Sequence, residues 1–206
     1  MNTLKVLVLF VACTLLVSVG NAQERILSPR GQASTQVAGS WNADGKYQGG
    51  KWIDVDYGRP ILRGRENIFG SGEDYGQGIL GGAPLWRIGA NQSTRFKTEV
   101  DLMIGGQRLV AGEYSIFAET KPSQWTLIFS TYGQKQNFRD ENPDELWGAY
   151  DYKPDRDVLR APMPVQTVER SADQLVTTFT NMTQQGGDFT IWWDDQVATI
   201  PFTVAN

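Results

Sequence analysis

Histidine is absent from this 206-residue chain, and its single cysteine, Cys13, lies within the first 22 residues. The first absence excludes Ser-His-Asp and Cys-His catalysis, histidine-ligated zinc and histidine proton shuttles. Any catalysis would have to use carboxylates, tyrosine, lysine, arginine or an oxygen-bound metal. The second absence leaves the chain beyond residue 22 without a possible internal disulfide, so packing must supply its stability. Basic clusters are also missing. With 19 Lys and Arg against 23 Asp and Glu, the net charge is −4, which excludes nucleic acid as a partner.

Long apolar runs are equally scarce. The longest, "VLVLFVACTLLVSV" (6–19), falls short of the roughly 20 residues that span a bilayer. It follows Lys5 and precedes Gly20 and Ala22, the pattern of a secretory leader cleaved after Ala22. Lipidation of Cys13 fits less well, because apolar sequence continues past it and Phe10 suits that motif poorly. Residues 1–22 are therefore expected to be a signal peptide, and residues 23–206 one periplasmic or secreted domain with no membrane partner. With Lys5 gone, 18 basic residues face 23 acidic ones, a net charge of −5, ordinary for solubility.

What is present is strand patterning. In "KWIDVDYGRP", Ile53, Val55 and Tyr57 alternate with Asp54 and Asp56, the period-2 signature of a half-wet strand. "TRFKTEVDLMIGGQRLVAGEYSIFAET" reads as strand, turn at Gly105-Gly106, short strand, turn near Ala111-Gly112, and a strand from Tyr114 to Glu119. Gly-Gly supplies the positive φ that tight hairpin turns need. "QWTLIFS" should pair with that strand, "DVLRAPMPV" is extended, and "QLVTTFTN" with "DFTIWWDDQVATIPFTV" gives three more strands with a turn at Asp194-Asp195-Gln196. About eight to ten short strands predict an all-β, antiparallel, jelly-roll-like β-sandwich with long loops. Phe117, Trp125, Leu127, Phe129, Phe179, Phe189, Ile191 and Trp193 are its expected core. Short helical turns are expected in "RGRENIF" and "DENPDELWGAY". The glycine-dense 70–82 stretch reads as a long loop without structure of its own, a kind of loop that is often functional.

"YGRP" (57–60), "GRENIFG" (64–70), "LWRIGAN" (85–91), "LVAGEYSIF" (109–117) and "WGAYDYKPDRDVLR" (147–160) occur in that order. On these the chain resembles an exported bacterial family known as domain of unknown function 2911, from about residue 26 to 204. The resemblance implies a β-rich, exported fold and no particular activity. The sequence departs from the family pattern at "NADGKYQGGK" (42–51) and in the glycine-rich stretch at 70–82. Both departures are in loops, so they bear on a shared ligand more than on a shared fold.

Three constellations could carry chemistry. Arg59, Arg65, Arg87 and Asn91, with Trp86, Trp147, Tyr150 and Tyr152, combine planar donor forks with flat aromatic faces. That set suits a small polar or anionic molecule, or a glycan. It suits better a structural knot in which buried arginines pair with Asp54, Asp56 or Asp151 and pin loops to the sheets. The acidic run "DENPDE" (140–145) has the oxygens that calcium uses but matches no calcium-loop spacing, so it reads as a solvated loop; no metal site or cofactor is predicted. Asp54, Asp56, Glu66 and Glu73 are the carboxylates available to a glycan hydrolase, which needs a pair roughly 5 to 9 Å apart. The sequence thus favours non-catalytic binding or a structural role, with a carboxylate-dependent glycan hydrolase as the alternative.

Overall fold

The computed structural model describes residues 26–206, so the expected leader at 1–22 lies outside the described residues. Strand β1 (Arg30–Val37) precedes two-residue strands β2 (Ser40–Trp41) and β3 (Tyr47–Gln48), then β4 (Lys51–Gly58). A long segment leads to β5 (Thr94–Thr98), β6 (Leu102–Ile104), β7 (Gln107–Leu109), β8 (Gly112–Glu119) and β9 (Gln124–Ser130). The short β10 (Gly133–Gln134) and β11 (Glu145–Leu146) pair in parallel, and β12 (Asp157–Thr183) and β13 (Gly186–Val204) complete the chain. Nine strands form one antiparallel sheet in the order β1-β4-β5-β8-β9-β12-β13-β6-β7. It is an all-β, sandwich-like fold and not a closed barrel.

The long strand β12 makes the sandwich. Its first part, through Pro164, pairs with β9, and from Val165 it pairs with β13 on its other edge. Two prolines, Pro162 and Pro164, fall in the first part. A strand proline has no N–H to give and is tolerated where one edge is unpaired. Val165 N–H points towards the β9 side, to Ser123 O. By strand alternation residues 162 and 164 therefore turn their nitrogens to the opposite edge, where no ladder begins until Val165 meets Ala198.

The main core lies between the two layers and centres on Phe69, Trp86, Trp125 and Trp193, whose rings sit 5.3 to 6.2 Å apart. A second cluster, including Leu85, Phe117, Ile128, Tyr132 and Leu146, lies on the other face of the sheet. With both faces covered, β8 is buried at every position from Tyr114 to Ala118 rather than at alternate ones. The residues expected in the core are buried, with Phe179 partly so.

Two local expectations need correction. Asp194-Asp195-Gln196 is not a turn, because β13 runs on through it. Asp194 instead takes φ +52 opposite Ala172, between two register shifts, as a bulge. Its carboxylate holds the bulge by accepting Ile68 N–H at 3.0 Å and Ser171 Oγ–H at 2.9 Å. Nor are "RGRENIF" and "DENPDELWGAY" helical. Asn142 and Asp144 donate their N–H groups to the side chains of Asp140 and Asn142, and such turns compete with helix. The helical turns fall at Gly72–Asp74, α1 (Gln77–Leu80) and Pro154–Arg156. Left-handed Gly76 and Gly81 bracket α1, so the glycine-rich stretch has structure after all.

Candidate functional site

The eight residues singled out by sequence do not all converge: Arg87, Asn91 and Tyr150 meet at one junction, and the others lie apart. Trp86 is core: it is 1% exposed and exchanges two backbone hydrogen bonds with Ala118, at 3.0 and 2.8 Å. Its neighbour Arg87 belongs to a separate junction. Arg87 Nη1 donates to Asn91 O at 3.1 Å, and its guanidinium carbon lies 5.4 Å from the Tyr150 ring centre. Tyr150 donates its hydroxyl to Gly81 O at 2.6 Å. Glycine backbone closes in around the guanidinium, since a Cβ at Gly148 would lie 2.9 Å from Nη1 and one at Gly81 3.1 Å from Nη2. Asn91 contributes its carbonyl from a left-handed turn (φ +64), while its residue is exposed. Trp147 is half-buried in the adjoining segment, which Ser93 fixes by bonding to the carbonyls of Leu146 and Gly148.

Tyr152 is part of a different network. Its hydroxyl donates to Asp157 Oδ2 at 2.5 Å, and Arg160 Nη1 donates to the same oxygen at 2.7 Å while its Nη2 pairs with Glu119. Burial, followed by the Asp157 hydrogen bond and charge, drives the Tyr152 hydroxyl far above its ordinary pKa. Arg65 satisfies its own turn through the carbonyls of Leu62 and Ile61, at 2.9 and 2.8 Å.

Arg59 stands apart from all of these. It lies in a slot where β1, one edge of the nine-stranded sheet, approaches the second part of β12 without pairing to it. The slot is pinned at one end by Ala38 N–H to Gln184 O at 2.6 Å. At the other end Leu62 N–H bonds Asp173 O and Leu175 N–H bonds Pro60 O, at 2.7 and 3.0 Å. Between the pins lies a concavity of about 350 Å³, lined by residues 32–35 and 176–179 with Tyr57 and Arg59.

The polar groups of the slot are only half used. Arg59 Nη2 donates to Gln174 Oε1 at 2.6 Å, but its buried Nε has no partner. The hydroxyl of Thr177, a residue 3% exposed, is buried and unpartnered as well. Tyr57 OH accepts Thr177 N–H at 3.1 Å. Among the described residues no carboxylate forms an ion pair with Arg59. The stem of Arg59 lies against Gly31, where an added Cβ would come within 2.1 Å of Cδ. Glycine at 31 is what lets the guanidinium lie in the slot.

The carboxylates considered for hydrolysis are elsewhere. Asp54 accepts Ser34 Oγ–H at 2.6 Å, Asp56 is 3.9 Å from Arg30, and Glu66 and Glu73 are exposed; none lines the slot. Among the described residues no group of three or more Cys, Asp or Glu is placed to hold a metal. Other concavities lie beside Trp41, Tyr47 and Met182, and beside Tyr132, Glu145 and Tyr152. Gln174 and Thr177 were not singled out by sequence. Thr177 could have been, as a polar residue at an inward position of "QLVTTFT".

A family model described as a protein of unknown function, DUF2911, matches residues 41–202. The match takes in Tyr57, Arg59 and the β12 wall of the slot, and begins after β1. No curated protein and no solved structure matches the chain.

Proposed function

We propose that this chain, which belongs to the DUF2911 family, is a non-catalytic binding domain that holds a small anionic ligand at Arg59 in the slot between β1 and β12. One observation carries this reading: among the described residues Arg59 has no carboxylate partner, and it shares a concavity with Thr177, whose buried hydroxyl has no partner among them either. Leaving such a group unsatisfied costs about 1 to 3 kcal/mol. An anion entering the slot would give the Arg59 guanidinium the counter-charge it lacks among the described residues. Among the described residues no carboxylate lines the slot, which favours binding over carboxylate-dependent glycan hydrolysis. The Arg87 junction is structural in this reading, because its guanidinium is packed by Tyr150 and glycine backbone.

The test is a thermal-shift and calorimetry screen with carboxylates, phosphate, neutral sugars and divalent metals on the protein and on Arg59→Gln. A bound ligand raises the melting temperature by mass action. Carboxylates or phosphate should stabilise the native protein and not Arg59→Gln. Stabilisation by neutral sugars alone, or equal stabilisation of the variant, would remove Arg59 from the site.

We also propose that the protein is exported to the periplasm or beyond, with cleavage after Ala22. Lys5, the apolar run and the small residues at 20 and 22 support this. The intact mass of secreted material should correspond to a chain beginning at Gln23; a diacylglycerol on Cys13 would contradict it.

A further inference from the structure

We propose that the ligand of the slot is the carboxylate end of a short, extended peptide; this rests on the reading of Arg59 as an anion site. The reason lies in the backbone on either side of the concavity. Arg59 N–H bonds Pro29 O at 2.8 Å, which makes residues 29 and 59 a hydrogen-bonded pair of the antiparallel β1–β4 ladder. Strand alternation then directs the main-chain groups of residues 31, 33 and 35 towards β4. Those of Gln32 and Ser34 are directed to the free edge, into the slot. Ala38 confirms this parity, since its N–H crosses the same edge to Gln184.

The opposite wall obeys a matching rule. Asp173 O, Leu175 N–H and Thr177 N–H all point to the slot side of β12, towards Leu62, Pro60 and Tyr57. Thr177 C=O and Phe179 N–H therefore face the concavity too. Among the described residues, no backbone bond joins these groups across the slot. The concavity thus presents main-chain donors and acceptors at strand spacing along both walls, with Arg59 near the end pinned by Asp173 and Leu175.

A simple anion would satisfy Arg59 and leave these groups unused. A neutral sugar would leave the cation unmatched. An extended peptide offers N–H and C=O at the spacing of a strand edge, and its terminal carboxylate is the counter-charge that the Arg59 guanidinium lacks among the described residues. Residues 32–35 span about 13 Å at roughly 3.3 Å per residue, room for three or four ligand residues. The peptide's carboxylate lies at the Gln174 end, and its chain runs towards Ala38. Alternate side chains meet Phe179 on the inward face and Val176 on the opposite face.

Trialanine, trialaninamide, acetate and inorganic phosphate provide the test, titrated calorimetrically into the protein, Arg59→Gln, Arg59→Lys and Ser34→Pro. Ser34 sits on the free edge, where proline removes one N–H that the β1–β4 ladder does not use. Trialanine should bind at least tenfold tighter than acetate. Amidation or Arg59→Gln should abolish that binding, and Arg59→Lys should retain part of it. Ser34→Pro should weaken trialanine severalfold and leave acetate unchanged, with circular dichroism melts confirming that each variant is folded. Acetate or phosphate binding as tightly as trialanine, still dependent on Arg59, would overturn the peptide and leave the anion site standing. Trialaninamide binding as well as trialanine would overturn the terminal carboxylate. Arg59-independent binding, or none of any probe, would overturn both readings.

Discussion

Arg87 and Arg59 share two features and differ in a third. Each has a buried Nε without a partner, and among the described residues neither forms an ion pair with a carboxylate. Around Arg87, however, the protein supplies an aromatic face, two glycine backbones and the Asn91 carbonyl. Around Arg59 it supplies one carboxamide and an open concavity. The lesson is that a missing counter-charge does not by itself mark a site. What matters is whether the guanidinium is covered by protein or faces space that a ligand can occupy.

The sharpest way to break this contrast is to remove each arginine from the ligand-free protein. Arg87→Ala removes a charged hydrogen bond and a cation–π contact that together tie residues 87–91 to residues 148–150. It should cost about 2 to 4 kcal/mol in chemical denaturation. A loss below about 1 kcal/mol, typical of surface substitutions, would mean that the junction is not structural.

Gly148→Ala approaches the same junction through the backbone. Position 148 has φ +63, and its Cβ would press on Arg87 Nη1. Denaturation should show a loss of about 1 to 3 kcal/mol. Gly64→Ala is the control, with φ +77 and open space around it, and should lose less. Equal losses would leave only the backbone conformation and no contribution from the close packing on Arg87.

Arg160 extends the comparison to an arginine that is fully paired, with Asp157, Glu119 and the Tyr152 hydroxyl around it. The Tyr152 pKa is raised above its ordinary 10.0, so the folded state holds that proton when the unfolded chain has released it. The stability it contributes is complete below about pH 10 and is lost as pH rises through the raised value. Melting temperatures should therefore fall above pH 10, and Tyr152→Phe should flatten that fall. An identical alkaline profile in the variant would assign the loss to other groups, such as Tyr75 and Tyr114, which burial also raises.

The smallest effect belongs to Arg59. Arg59→Gln removes an unsatisfied Nε but also the Nη2 bond to Gln174, opposing effects that should leave ligand-free stability within about 1 kcal/mol of the native protein. A loss comparable to that of Arg87→Ala would make the two regions alike and the slot structural.

The sequence made the layers legible and the site only in pieces. Period-2 alternation at Ile53, Val55 and Tyr57 and the Gly105-Gly106 turn correspond to β4 and the β6–β7 hairpin. The bulge at Asp194 read as a turn because both use an aspartate at positive φ; only its partners Ile68 and Ser171, more than twenty residues away, distinguish them. Trp86 and Arg87 are adjacent in sequence and so looked like one constellation. In extended backbone neighbours face opposite ways, and one went to the core while the other went to a loop junction. Arg59 meets Gln174 across 115 residues, a contact that no local pattern encodes. The slot itself arises because β12 changes partners midway and leaves an edge facing β1.

The most direct measurement is an acetate titration followed through the arginine Nε–H resonances of the native protein by NMR. Arg59 lines the slot and its Nε has no acceptor among the described residues, so the Nε–H resonance should shift and saturate as a carboxylate binds the guanidinium. The Arg87 Nε–H, enclosed by Tyr150 and glycine backbone, should stay in place. A saturable shift at Arg87 with Arg59 unmoved would reverse the assignment of site and junction, and contradict the account.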